Sequence, residues 1–277
     1  MFGNFRMRWV FAILCIIIVA PAAAPAGGKT LMMATTTSTD NTGLLDALSP
    51  LFTKDTGIAL KWVATGTGKA LKLGENCDAD VLMVHAPAAE MKFVDAGYGI
   101  DRRQVMYNDF VIIGPAADPA GIRGDSVSKA LNAVKDATAT FVSRGDNSGT
   151  HKKEKSLWIK AGLPVPERQS WYVQTGQGML ATINVAAERG GYTMADRGTY
   201  IKYEANHQGN PPLKILVEGD AGLLNQYSVI AVNPKRCSNV NNIEAKAFMD
   251  WITAPAAQMA IGDFKLMGKQ LFTPNAK

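Results

Sequence analysis

The segment Phe141-Val142-Ser143-Arg144-Gly145-Asp146-Asn147-Ser148-Gly149-Thr150-His151 sets a guanidinium among hydroxyls and glycines, directly after an apolar run. Arginine offers a planar fork that can bond two oxygens of one anion. A chain that turns here from strand to helix adds unpaired N–H groups and a partial positive charge. Such a donor set suits a fully ionised oxyanion. Ser148 or Thr150 would also serve as an ordinary helix cap. Three further segments have the same character. Thr35-Thr36-Thr37-Ser38-Thr39-Asp40 places five hydroxyls in a row, more than one cap requires, with Asp40 or Asn41 free to cap. Thr65-Gly66-Thr67-Gly68 lets the backbone approach an anion closely. Gln177-Gly178-Met179 opens another helical stretch, where a plain turn and cap is the alternative.

Strand-like and helix-like patterns alternate along the chain and place these segments at strand-to-helix turns. Thr30 to Ala34 is a short apolar run, and Leu44, Leu45, Leu48, Leu51 and Phe52 then fall on one helical face. Strand patterns at 58–64 and 80–84, with a short helix between, imply a parallel sheet with covering helices. Phe110 to Pro115 reads as a strand leaving a first lobe, and Tyr227 to Val232 as a strand returning to it. The organisation expected is therefore a leader at 1–26, a first lobe from 27–112 and 220–277, and a second lobe from 113–219. A hinged pair of α/β lobes, each a mostly parallel sheet flanked by helices, would hold its ligand in the cleft at strand C-termini and helix N-termini.

The leader is a reading of 1–26 as a secretory signal: Arg6 and Arg8, the apolar run Trp9 to Ala20, then Ala24-Pro25-Ala26 before the cut. That run is short for a membrane anchor. Cleavage would take Lys+Arg from 29 to 27 against 24 acids, a net charge of +3. No basic stripe interleaved with aromatics supports nucleic-acid binding. Cys77 and Cys237 would enter an oxidising compartment, where they either pair or stand as two small buried residues. No CxxC, His/Cys cluster or HExxH indicates a metal site. The glycines at 66 and 68 fail both the P-loop and GxGxxG, since Ala70 and Leu71 stand at the deciding positions. Ser148 with His151 hints at a hydrolase but lacks a nucleophile elbow and an evident orienting acid. Arg144-Gly145-Asp146 spells an adhesion tripeptide by coincidence. His85 and His207 stand isolated, Lys152 to Lys155 reads as a solvated helix face, and Asp196-Arg197 either bridges the lobes or pairs internally.

The strings MATTTSTDNTGLL, GTGKALKLGENCDADVLMVHAP, VMYNDFVIIGP, FVSRGDNSGTHKKE, GQGMLAT and YTMADRGTYI, spread over nearly all of the chain after the leader, resemble those of the tungstate-binding protein family (TupA) of bacterial ABC importers. Cys77 departs from that pattern, where glycine or another small residue is expected. The resemblance implies a type II periplasmic-binding-protein fold and a non-enzymatic, monomeric protein of the periplasm without a cofactor. It also implies tungstate as ligand and a membrane permease with its ATPase as partner. The Arg144, Ser148, Gly149, Thr150 spacing is also similar to the anion loop of phosphate-binding proteins. Molybdate, sulfate and phosphate therefore stand as alternatives. The ligand set expected is Thr36, Thr37, Ser38, Thr67, Ser143, Arg144, Ser148, Gly149, Thr150 and Gln177.

Overall fold

The computed structural model describes Met1 and residues 28–276, so the leader reading lies outside the described residues. The first part of lobe I runs β1 (Thr30–Thr36), α1 (Thr37–Asp40), α2 (Leu44–Thr56), β2 (Ala59–Thr65), α3 (Thr67–Glu75), β3 (Val81–Val84) and α4 (Pro87–Asp95). The long strand β4 (Gly99–Pro115) leads out of it. Lobe II follows as α5 (Val127–Asp136), β5 (Phe141–Ser143), α6 (Gly149–Lys160), β6 (Tyr172–Gln174), α7 (Met179–Glu188), β7 (Thr193–Asp196), α8 (Arg197–Asn206) and β8 (Leu213–Val217). The chain returns through β9 (Leu224–Val232) to α9 (Asn242–Thr253), α10 (Pro255–Asp263) and the short strands β10 (Lys265–Leu266), β11 (Lys269–Gln270) and β12 (Thr273–Pro274).

The lobe I sheet has the order β12-β4-β9-β3-β1-β2. Along β4 the partner changes: it pairs with β9 through Asp109, then with β7 from Phe110 and with β8 from Ile112. The two lobes thus share one continuous strand. The expected mostly parallel character holds for β1 with β2 and β3, and for β5 with β6. It gives way to antiparallel pairing wherever β4 or β9 takes part. A strand that carries the chain out of a lobe and one that brings it back run in opposite senses, which strand–helix–strand alternation does not foretell.

Leu44, Leu45, Leu48 and Phe52 of α2 are buried, as their spacing requires, in a core shared with β1, β2, β3 and α9 that includes Phe248 and Ile252. Leu51 is 41% exposed. It sits at the edge of the α2 stripe, turned away from Leu45, and adds little to the core. Lobe II is built around Phe141, Trp158, Tyr172 and Tyr192, which pack against α5 and the second half of β4. Trp158 lies edge-on to Phe141, with ring centroids 5.2 Å apart. These aromatic contacts fix the strand β5 that carries the arginine loop. Among the described residues, no helix is long and apolar enough to cross a membrane.

Candidate functional site

The site begins where parallel strands stop. The register of β1 and β2 aligns Thr36 with Thr65, so both strands end level and feed directly into α1 and α3. β3 ends at Val84 on the other side of β1, and His85 follows it. Within the hydroxyl run the burial alternates with role. Thr35 is buried and donates to the Met83 carbonyl at 2.7 Å, which removes it from the cleft. Thr36 is 3% exposed and caps α1 by accepting the Thr39 N–H at 3.2 Å. Its hydroxyl lies 2.7 Å from that of Thr39, 3.0 Å from Ser38 Oγ and 3.0 Å from His85 Nε2. Thr37 and Ser38 face outward, and Ser38 Oγ is 2.9 Å from the same ring nitrogen. Asp40 takes the Trp62 indole N–H at 2.7 Å.

Lobe II repeats the arrangement. The register of β5 and β6 aligns Ser143 with Gln174. The Thr175 and Gly176 amides then donate to the Ser143 and Arg144 carbonyls at 3.0 and 2.8 Å, which seats the Arg144 turn beside the Gln177 turn. Gly145 has φ +61°, and a Cβ there would come within 2.7 Å of the Gln174 Cβ, so only glycine fits. The Arg144 guanidinium pairs through Nη2 with Asp146, whose other oxygen accepts the Ser148 N–H at 3.1 Å. Burial would raise the Asp146 carboxyl, but the bonds from Ser148 and the Arg144 charge outweigh it and hold it below its ordinary range. The Nε of Arg144 is buried and has no partner. Ser148 Oγ accepts the His151 N–H at 3.3 Å and so caps α6.

The expected ligand residues divide into two groups. Thr37, Ser38 and Thr67 stand at open strand-to-helix turns of lobe I, with Thr36 behind them. Arg144, Ser148, Gly149, Thr150 and Gln177 stand at those of lobe II. Ser143 is the correction. It is 1% exposed, and its hydroxyl donates inward to Glu154 at 2.5 Å, because a carboxylate buried in the aromatic core requires donors. The solvated face expected of Lys152 to Lys155 is the second correction. Glu154 is buried in the aromatic core, and Lys153 is partly buried and bonds the Leu224 carbonyl at 3.1 Å, since that face of α6 meets the start of β9. The Ser148–His151 pair does not form a nucleophile and base: His151 Nδ1 accepts the Asn147 N–H at 3.0 Å, and Ser148 Oγ is engaged by backbone.

Glycine placement carries information of its own. Gly66 and Gly178 precede α3 and α7 with φ of −71° and −65°, values any residue adopts, and no side chain caps either helix. A Cβ on Gly66, Gly68, Gly149 or Gly178 would meet nothing within 4 Å. Neither conformation nor packing demands glycine at these four positions. Without a Cβ, the helix-start amides at these positions stay open to close approach.

Sequence spacing missed a polar network behind the lobe I turn. His85 Nδ1 lies 2.9 Å from Asn225 Oδ1, and Asn225 Nδ2 donates to Asn108 Oδ1 at 2.8 Å. The His85 ring stacks on Tyr227 with centroids 4.6 Å apart. Asn108 and Asn225 face one another across the β4–β9 ladder, just before the lobes part. Nothing local in the sequence marks either one, because they are 117 residues apart. Of the Asp196-Arg197 pair, Asp196 pairs internally, capping α8 through Thr199, while Arg197 reaches both the outgoing strand and its own lobe. Arg197 holds Asp109, on the outgoing strand, at 2.5 and 2.6 Å and Glu218, before the returning one, at 2.7 Å. Lys202 of α8 reaches across to the Asn41 carbonyl at 2.5 Å.

Comparison with known proteins agrees with this architecture. The profile described as "PBP superfamily domain" matches residues 21–256. The chain is 56% identical over 240 residues to the tungstate-binding protein TupA of Campylobacter jejuni, covering 87% of this chain and 89% of that one. The structure of the tungstate-binding protein TupA from Desulfovibrio alaskensis superposes with a TM-score of 0.88 at 70% identity, covering 90% of this chain and all of that one. The structure titled as the tungstate ABC transporter from Geobacter sulfurreducens gives a TM-score of 0.74 at 45% identity, over 85% of this chain and 98% of that one. The chain belongs to the TupA family of tungstate-binding proteins, within the PBP superfamily.

Proposed function

We propose that this protein is the exported solute-binding component of an ABC importer, that it captures tungstate between its lobes, and that it delivers the anion to a membrane permease. It performs no catalysis and carries no cofactor; the tungsten is cargo, held as its oxyanion. The observation that carries this reading is Arg144: a buried guanidinium Nε–H without a partner, beside helix starts whose glycines serve neither packing nor conformation. A buried donor left unpaired is costly, so an anion oxygen is its natural complement. In this reading Thr37, Ser38 and Thr67 supply donors from one lobe, and Ser148, Gly149, Thr150 and Gln177 from the other.

The aspartates near the turns favour an acceptor-only ligand over phosphate, which keeps a proton and asks for an acceptor. Asp40 is engaged by Trp62, and Asp146 by Arg144 and Ser148. Asp196 accepts both the N–H and the hydroxyl of Thr199 at 2.8 Å. Parallel calorimetric titration with tungstate, molybdate, sulfate and phosphate tests the assignment. Tungstate should bind tightly, and sulfate and phosphate weakly; the reverse order would sink it. Export is tested by intact mass. Mature protein should begin at Gly27 or within a residue or two, whereas a mass that includes Trp9 to Ala20 would refute cleavage.

A further inference from the structure

His85 follows β3 and lies within hydrogen-bond distance of Thr36, Ser38 and Asn225. The amide orientations that satisfy the Asn108–Asn225 pair turn Asn225 Oδ1 toward the ring, so His85 Nδ1 carries the hydrogen and donates at 2.9 Å. In the neutral ring Nε2 is then an acceptor, with one lone pair facing two hydroxyls, Thr36 at 3.0 Å and Ser38 at 2.9 Å. A hydroxyl has a single proton to give. One that is donated to Nε2 is not available to an anion.

We propose that His85 is a positioning residue for anion capture: its neutral ring holds a hydroxyl proton of Thr36 or Ser38, and on binding the ring takes a proton from solvent and releases that donor to the ligand. The balance is simple. Nε2 gains H⁺ from water and turns from acceptor to donor toward the hydroxyl oxygens, and the one hydroxyl proton it had held is freed for the anion. No bond other than hydrogen bonds is made or broken. The inference rests on the transport reading above.

The surroundings of the ring are compatible with such a switch. Burial depresses the His85 pKa, while the Asn225 bond and the Asp196 charge act against it. Tyr227 stacks on the ring from β9, and its own hydroxyl is pushed up by burial and stays neutral. On α4, Glu90 accepts the Ala86 N–H at 2.6 Å and is paired with Arg102, so its charge is already matched. A dianion entering the cleft favours the charged ring and raises its pKa. Binding therefore tightens as pH falls through the interval between the free and bound values, and is pH-independent with respect to this group outside it.

Titration of tungstate into the full chain at about pH 7, in buffers of differing ionisation enthalpy, counts the protons taken up. Wild type should take up a fraction of one proton per anion. His85→Gln should take up none and bind roughly tenfold more weakly, whereas His151→Gln should keep the uptake. In the wild-type protein, ring ¹⁵N resonances should show the Nδ1–H tautomer when free and a doubly protonated ring with tungstate, a readout that does not depend on any variant folding. Binding without proton uptake, uptake unchanged in His85→Gln, or a ring that stays neutral in the complex would overturn the assignment to His85 alone. A wild-type protein that does not bind tungstate overturns the transport reading and this inference with it.

Discussion

Arg144 concentrates the electrostatics of the site in one side chain. Its Nη2 neutralises Asp146 while Nε remains unpaired, so part of the fork is spent on holding the loop and part is left for an anion. Hydrogen bonds to charged groups contribute about 1.5 to 3 kcal/mol each. Arg144→Ala should therefore weaken tungstate binding at least about tenfold, with Arg144→Lys between, because it keeps the charge and loses the planar geometry. The Arg144 and Asp146 side chains are each 19% exposed, so losing the pair should lower the stability of the free protein by only roughly 1 kcal/mol. Lys152, exposed on α6, is the matched control, and Lys152→Ala should bind as wild type. Calorimetry on the three variants reads all of this. Normal binding by a folded Arg144→Ala would put the anion at another turn.

The element that holds the arginine loop in place is α6 together with β5 and β6, and Glu154 ties them. Its carboxylate is 4% exposed and accepts from Ser143 at 2.5 Å, Tyr172 Oη at 2.7 Å and Trp158 Nε1 at 3.1 Å. Removing it orphans three buried donors, so Glu154→Ala should cost at least about 3 kcal/mol in urea denaturation. Burial pushes this carboxyl above its ordinary range, and the three donors offset only part of that rise. A folded-state value raised above the unfolded one gives stability that is fully present below the unfolded value and lost as pH rises through the folded one. The wild-type urea midpoint should accordingly carry a component that declines with rising pH from the ordinary carboxylate range upward. Glu154→Gln should lack that component, and an identical pH profile in the two proteins would refute the account.

At the scale of the whole molecule, the lobes are joined by β4, by β9 and by the Arg197–Asp109 pair, which Glu218 supports from within lobe II. Burial opposes the charged guanidinium less than the Asp109 and Glu218 bonds favour it, so Arg197 stays cationic at any working pH. Lobe I is closed on itself by Cys77–Cys237, which links residues 160 apart with Cα atoms 5.4 Å from each other. A bond between such distant points restricts the unfolded chain strongly and typically contributes about 2 to 4 kcal/mol. Denatured, unreduced protein should show no free thiol, and reduction should lower the unfolding midpoint accordingly. Two titratable thiols would show that the pair does not form. The bond lies away from both groups of turns, so reduced protein that still folds should keep its tungstate affinity.

What the sequence determined alone is the local chemistry: hydroxyls, glycines and one arginine at strand-to-helix turns, and helices whose apolar spacing says which face is buried. Those properties depend on neighbours within a few residues, so they can be read from order. The α6 cap at Ser148 and the α2 core residues Leu44, Leu48 and Phe52 are examples. Tertiary structure decided where each polar atom spends its hydrogen bonds. Ser143 turns inward only because Glu154 is folded beneath it, Lys153 leaves solvent only because β9 begins beside it, and the two cysteines meet only because β9 returns beside β3, which brings the segment after β9 to the segment before β3. His85 becomes part of the site only through Asn225, 140 residues away, since a hydroxyl or a ring has no preferred direction until a distant partner supplies one.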